Sequence, residues 1–191
     1  MIEKQRTTPD VYPLSLNALR TACNQTTNRD PVVSYDEGTI RAALQRLSQR
    51  QLARLASGPG SRAVKYRHLL DETLSLSGEQ LAVLCVLMLR GAQTPGELKA
   101  RTERMQSFAS LAEVQETLES LIARELVARL PRRPGQKEER YVHLLGGDGG
   151  GERPTAAGED GLEARLRRLE DEVAELRGAL DALAARVSPE R

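Results

Sequence analysis

Lys65-Tyr66-Arg67-His68-Leu69-Leu70 and Arg140-Tyr141-Val142-His143-Leu144-Leu145 close two stretches of this chain in the same way, and they hold its only two histidines. Working backwards, Leu44, Leu47, Leu52 and Leu55 correspond to Leu118, Leu121, Leu126 and the Arg129-Leu130 pair, with one residue inserted near the end. The offset is 74 residues at Leu44 and 75 at the closing leucines. A repeat of this length is a duplicated domain, not a solenoid unit.

The second copy is the easier to read. Ser77 and Gln80 form a capping box, with Leu76 and Leu81 placed as a hydrophobic staple. An apolar helix follows to about Arg90, and Gly91 ends it. Thr94-Pro95 opens a short helix through Leu98, with proline at the first helical position. Ser110 and Glu113 read as a second capping box, and Val114, Leu118, Leu121 and Ile122 share one face of the helix that follows. Leu126 to Leu130 reads as a strand, Pro131-Arg132-Arg133-Pro134-Gly135 as a turn, and Arg140 to Leu145 as the returning strand.

Three helices and a hairpin make the winged-helix variant of helix-turn-helix. The first copy repeats the order. Thr8-Pro9 precedes a helix around Ser15 to Cys23, and Asp36 caps a third helix with Tyr35 and Ile40 as its staple. Ile40, Leu44 and Leu47 face its core. Leu52 to Ala56 is a strand, Ser57 to Ser61 the wing tip, and Ala63 to Leu70 the return. One element is short. The second copy has the apolar helix Leu81 to Leu89 before its Thr-Pro, whereas the first has only Met1 to Gln5. Losing two turns of core helix costs several kcal/mol at about 25 cal/mol per Å² of apolar surface. The sequence therefore predicts an apolar groove over Ile40, Leu44 and Leu47, left by a truncated first helix or covered by another chain.

Beyond Leu145 the composition changes. Residues 146–160 are rich in glycine and polar side chains, and they read as a flexible linker. Leu162, Leu166, Leu169, Val173, Leu176, Leu180, Leu183 and Val187 then alternate steps of four and three, a heptad pattern over residues 161–188. In a parallel pair, Arg165 meets Glu170 and Glu172 meets Arg177, both attractive. The predicted result is self-association through this helix, weakened by Gly178 and by its short length. An amphipathic helix lying on its own domain is the alternative.

The predicted fold class is α+β, mainly helical. It comprises winged helix one over 1–70, winged helix two over 71–145, a linker over 146–160 and a coiled-coil helix over 161–188.

Net charge is only +1, yet its distribution is uneven. Residues 1–70 hold eleven Lys/Arg against five Asp/Glu, a balance of +6. The balance is −1 over residues 71–145 and −4 over residues 146–191. The positive excess sits where phosphate contact needs it. The third helix of the first copy presents Arg41, Gln45, Arg46, Gln49 and Arg50, which can reach bases or phosphates, and Arg62 sits on its wing. Asn24, Gln25, Asn28 and Arg29 add donors before that helix. These ten are the candidate DNA-binding residues; a solvated basic face without a partner is the competing reading. The matching helix of the second copy carries Glu113, Glu116 and Glu119, which repel phosphate, so that copy reads as a packing or protein-contact domain. Its wing, with Arg132, Arg133 and Lys137, is basic enough to touch a backbone.

Several classes are excluded. No apolar run reaches the ~20 residues needed to span a bilayer, and no signal peptide precedes the first domain, so a cytoplasmic location is expected. Cys23 and Cys85 fall within predicted helices and read as small core residues, without the CxxC or histidine cluster of a metal site. The histidines occupy matching strands, which marks a fold position. No Walker motif, nucleophile elbow or acid–base pair is present, so no enzyme activity and no cofactor are expected.

The runs Glu3 to Pro9, Tyr12 to Ser15, Ala22 to Gln25, Thr27 to Arg29, Pro31-Val32 and Leu89 to Leu98 resemble the YceH-like family of bacterial proteins. The resemblance covers residues 2–145 and extends in kind to the C-terminal helix. It implies tandem winged helices and a full first helix before Glu3-Lys4-Gln5; it implies no established biochemical role. The two functional readings are therefore a dimeric protein that binds double-stranded DNA, as a transcriptional regulator does, and a protein-interaction adaptor whose winged helices dock partner chains.

Overall fold

The element order helix, helix, helix, hairpin occurs twice, with a short strand after the first helix of the first copy, in a computed structural model that describes residues 1–56, 63–132 and 138–146. In the first copy α1 spans Ile2–Thr7, a 3-10 turn Pro9–Val11, β1 Leu14–Ser15, α2 Leu16–Cys23, α3 Glu37–Gln49, β2 Ala53–Leu55 and β3 Lys65–His68. A short helix α4, Leu70–Leu74, leads into the second copy. There α5 spans Gly78–Arg90, α6 Pro95–Thr102, α7 Leu111–Ala123, β4 Val127–Leu130 and β5 Arg140–His143. The protein is thus of mixed helix and sheet. The wing tip at 57–61, Arg62, Arg133 to Lys137, most of the linker and the whole heptad helix lie outside the described residues.

Side-chain caps set most of the helix starts. Ser77 accepts from the Gln80 N–H at 3.3 Å while the Gln80 side chain accepts from the Ser77 N–H at 3.1 Å, the reciprocal pair that the spacing predicts. Thr94 and Glu97 form a second such pair, which together with Pro95 fixes the start of α6. At α7 the expected box is only half made. Ser110 accepts from the Glu113 N–H at 3.2 Å, but the Glu113 carboxylate takes the N–H of Ala109, one residue earlier. Asp36 caps α3 by accepting from the Thr39 N–H at 2.7 Å. Tyr35 stays 45% exposed, so it does not close over Ile40 as a staple would.

The two segments also match in backbone detail. Gln51 and Glu125, each following the third helix of its copy, adopt left-handed φ values of 57° and 56°. The next N–H turns back to the helix in both: Leu52 to the Leu47 carbonyl at 2.8 Å, Leu126 to the Leu121 carbonyl at 3.0 Å. The hairpins pair antiparallel, with His68 opposite Ala53 and His143 opposite Val127. Leu14 of β1 lies opposite Tyr66, and Gln93 makes a lone bridge to Tyr141 in the same place. Strand β1 and this bridge are too short for alternation to reveal them.

Three apolar clusters hold the described residues. Val83, Leu84, Val86 and Leu87 of α5 pack with Leu98, Phe108, Val114, Leu118, Leu121, Val127 and Tyr141. Leu14, Leu19, Ile40 and Leu44 form the core of the first copy. Between them Ile2 and Leu70 meet Leu81 and Cys85. Helix α5 is therefore apolar on both faces, because one face serves its own copy and the other receives α1 and α4.

This arrangement corrects the expected open groove. Ile40 and Leu44 are only 6% and 7% exposed, and Leu47 is half-buried. Met1, Tyr12, Leu16, Ala18, Cys23 and Tyr66 pack around that core. The buried residue of α1 is Ile2, which packs against Leu81 and Cys85 of α5.

Candidate nucleic-acid interface

Helix α3 carries most of the candidate site. Its buried residues, Ile40 and Leu44, recur at a spacing of four and fix which way the helix faces. The remaining turns point Arg41, Gln45, Arg46 and Gln49 to solvent, and the C-cap Arg50 is exposed beside them. Hydrogen bonds from Thr39 hold the Asp36 carboxyl below its usual range, which keeps the cap charged. Arg41 reaches Glu37 at 2.6 Å, with side chains 62% and 49% exposed. A pair this open contributes little, so Arg41 can exchange Glu37 for a phosphate at small cost. Arg46 and Arg50 make no ion pair among the described residues.

The hairpin extends this face. Arg41, Gln45 and Gln49 share a groove of about 450 Å³ with Arg54, Leu55 and Tyr66. Arg54 was not among the residues that the sequence singled out. It follows the buried Ala53 on β2 and, like Leu55 after it, is exposed.

The four residues before α3 are built differently. Both polar atoms of the Asn24 side chain clamp the backbone of Tyr35, each at 2.8 Å. Asn28 is left-handed, with φ 58°, and its side-chain oxygen accepts from Arg90 at 2.5 Å. Arg29 is the most committed. Its guanidinium donates to Glu3 at 2.6 Å, to the Ala22 carbonyl at 2.8 Å and to the Gln25 side chain at 3.0 Å. The Arg29 side chain is 7% exposed, so it does not join the α3 face. Burial pushes the Glu3 carboxyl up, but the hydrogen bonds and charge of Arg29 outweigh it and bring the group below its usual range. The Asp30 N–H donates to the Leu89 carbonyl at 2.9 Å. Residues 24–30 therefore fasten the loop to α1 and to the end of α5. The sequence read them as donors for a ligand because their partners, up to 62 residues away, are invisible to local pattern.

The equivalent face of the second copy is acidic. Glu116 and Glu119 of α7 share a shallow depression with Arg129, Glu139 and Tyr141. Arg129 bonds Glu119, lies 3.5 Å from Glu139 and sits 5.7 Å from the Tyr141 ring centroid. Arg132 lies 3.9 Å from Glu139. Among the described residues of this hairpin, Arg129, Arg132 and Glu139 are thus paired within the chain.

Of the two histidines, His68 is buried in the fold and His143 is half-buried. His68 is 3% exposed, with Nε2 at 2.5 Å from the Gln5 side-chain oxygen, and its backbone N–H donates to the Tyr12 hydroxyl at 2.9 Å. Burial lowers its pKa to about 4 despite Asp71, 3.4 Å from Nδ1. Burial also lowers that of His143. The Cys85 thiol is pushed up to about 11 by burial, so it stays protonated and unreactive at neutral pH. Among the described residues no helix is long and apolar enough to cross a membrane.

Comparison with known proteins places the chain. The family described as "Protein of unknown function, DUF480" matches residues 1–136. A UPF0502 protein of Opitutus terrae is 48% identical over 180 residues, covering 93% of this chain and 78% of its own. UPF0502 protein YceH of Escherichia fergusonii is 46% identical over 198 residues, covering 97% and 91%. Among solved structures, apo MarR from E. coli aligns at 20% identity and TM-score 0.35, covering 78% of this chain and 97% of that one. TrmBL2, an archaeal chromatin protein whose structure shows a novel mode of DNA binding, aligns at 20% identity and TM-score 0.32, covering 64% and 42%. With a family match over residues 1–136 and relatives near half identity along almost its whole length, the chain belongs to the DUF480, or UPF0502 (YceH), family.

Proposed function

We propose that each copy is a winged helix, and that the first binds double-stranded DNA through α3 as a regulator of transcription. One observation carries the reading. Arg41, Gln45, Arg46, Gln49 and Arg50 stand exposed on a single helix whose other side is buried, and Arg54 of the adjoining hairpin flanks them. Guanidinium and amide side chains on one helix face can contact both phosphates and base edges. The +6 balance of residues 1–70 supports this assignment to the first copy. The acidic α7 then acts as a packing or protein-contact face. The heptad leucines and valines of residues 162–187 join two chains in parallel, and the linker adds avidity without fixing a half-site distance.

Titration of a fluorescent duplex with the full chain at two salt concentrations tests the proposal. Phosphate-mediated binding weakens steeply as salt rises. A protein that docks only other proteins gives no binding even at low salt, which is the outcome expected of an adaptor.

A further inference from the structure

Away from the α3 face, a cleft of about 330 Å³ is lined by α1, the loop before α3, α5 and α6. Its lining is of two kinds. Val86, Leu89 and Met105 are apolar; Lys4, Arg90 and Arg104 are cationic. The other charges there are balanced, Glu3 by Arg29 at 2.6 Å and Arg101 by Glu97 at 3.3 Å. Lys4 and Arg104 make no ion pair among the described residues, and Arg90 has only the neutral Asn28 amide, at 2.5 Å. Three cations around one cleft repel one another unless an anion joins them.

We propose that this cleft binds a small phosphomonoester, with the phosphate on Lys4, Arg90 and Arg104 and the organic part on Val86, Leu89 and Met105. A dianion matches three cations better than a monoanion does, and the two arginines suit bidentate phosphate contacts. The volume lies at the lower end of small-molecule sites, which combine apolar walls with a few polar anchors. The wall is preformed: Asn28 holds its left-handed conformation, and Asp30 is bonded to the last turn of α5. The ligand touches elements of both copies, so binding stabilises their arrangement by mass action. The proposal stands independently of DNA binding.

Calorimetry of the full chain with phenyl phosphate, inorganic phosphate and phenol tests it. Phenyl phosphate is expected to bind at about 1 mM, the weak end of specific affinity, more tightly than inorganic phosphate; phenol should give no heat. The Lys4→Ala/Arg104→Ala double variant, which removes no side-chain hydrogen bond or ion pair among the described residues, should melt nearly as the wild type does and bind phenyl phosphate at least ~10-fold more weakly. No binding of phenyl phosphate, equal binding to the variant, or phenol binding as tightly would overturn the proposal. Equal affinity for inorganic phosphate would overturn the apolar half of the site.

Discussion

Arg29 and Glu3 form an ion pair at 2.6 Å, with side chains 7% and 14% exposed, that joins the loop before α3 to α1. The pair is nearly dry, and Arg29 also holds the Ala22 carbonyl in the last turn of α2. Breaking one side of such a pair leaves the other charge buried and unpaired, at a cost of about 3–5 kcal/mol. Arg29→Ala should therefore lower stability by this order in urea denaturation. Duplex affinity per folded molecule should stay unchanged, because the guanidinium is already engaged within the chain. Unchanged stability with weakened duplex binding would return Arg29 to the DNA-contact set.

His68 gives stability a pH dependence. Burial brings its folded pKa down to about 4, against an ordinary value of 6.5. The unfolded state therefore binds the proton first, and stability falls as pH drops through that window. The contribution is fully present above pH 6.5 and gone below about 4, with a ceiling of roughly 3 kcal/mol. Urea midpoints measured between pH 7 and 4.5 should fall in the wild type and fall less in His68→Phe. Parallel curves would assign the acid sensitivity to other groups.

Gly91 ends α5 at φ 68°, ψ −150°, a region essentially reserved for glycine. Nothing lies within 4 Å of a Cβ built there, so the penalty for a side chain is backbone strain alone. Gly91→Ala should cost about 1–3 kcal/mol in thermal or urea unfolding, and Gly91→Val no less. A neutral Gly91→Ala would show that this turn relaxes.

The proposed self-association rests on the heptad pattern of residues 162–187. Leu169→Lys with Leu176→Lys places like charges at two facing layers of a parallel pair. Sedimentation at tens of micromolar should show dimers for the wild type and monomers for the variant. A monomeric wild type would refute pairing; a dimeric variant would move the interface onto the winged helices.

Local chemistry made much of this fold legible. Ser77 with Gln80, Thr94 with Pro95 and Asp36 before α3 announce three helix starts, since each cap acts within three residues. The repeated closing motif located both hairpins. Long-range pairing was not legible. That Ile2 would lean on Leu81 and Cys85 depends on how α5 sits in space. The same holds for Asn28, whose partner Arg90 belongs to the other copy. Of the candidate site, the α3 residues follow from helical periodicity alone. The intrachain bonds of the loop donors were not legible, because an exposed-looking Asn/Gln/Arg cluster reads alike whether it faces a ligand or its own chain.

The most direct test of the central claim is the salt dependence of duplex binding for the wild type and for Arg41→Ala/Arg46→Ala/Arg50→Ala. Each lost phosphate contact should reduce the slope of log K against log salt by about 0.9, so the triple variant should lose roughly 2–3 from that slope with its melting temperature nearly unchanged. Identical slopes, or a wild type that does not bind duplex at low salt, would contradict DNA recognition by α3.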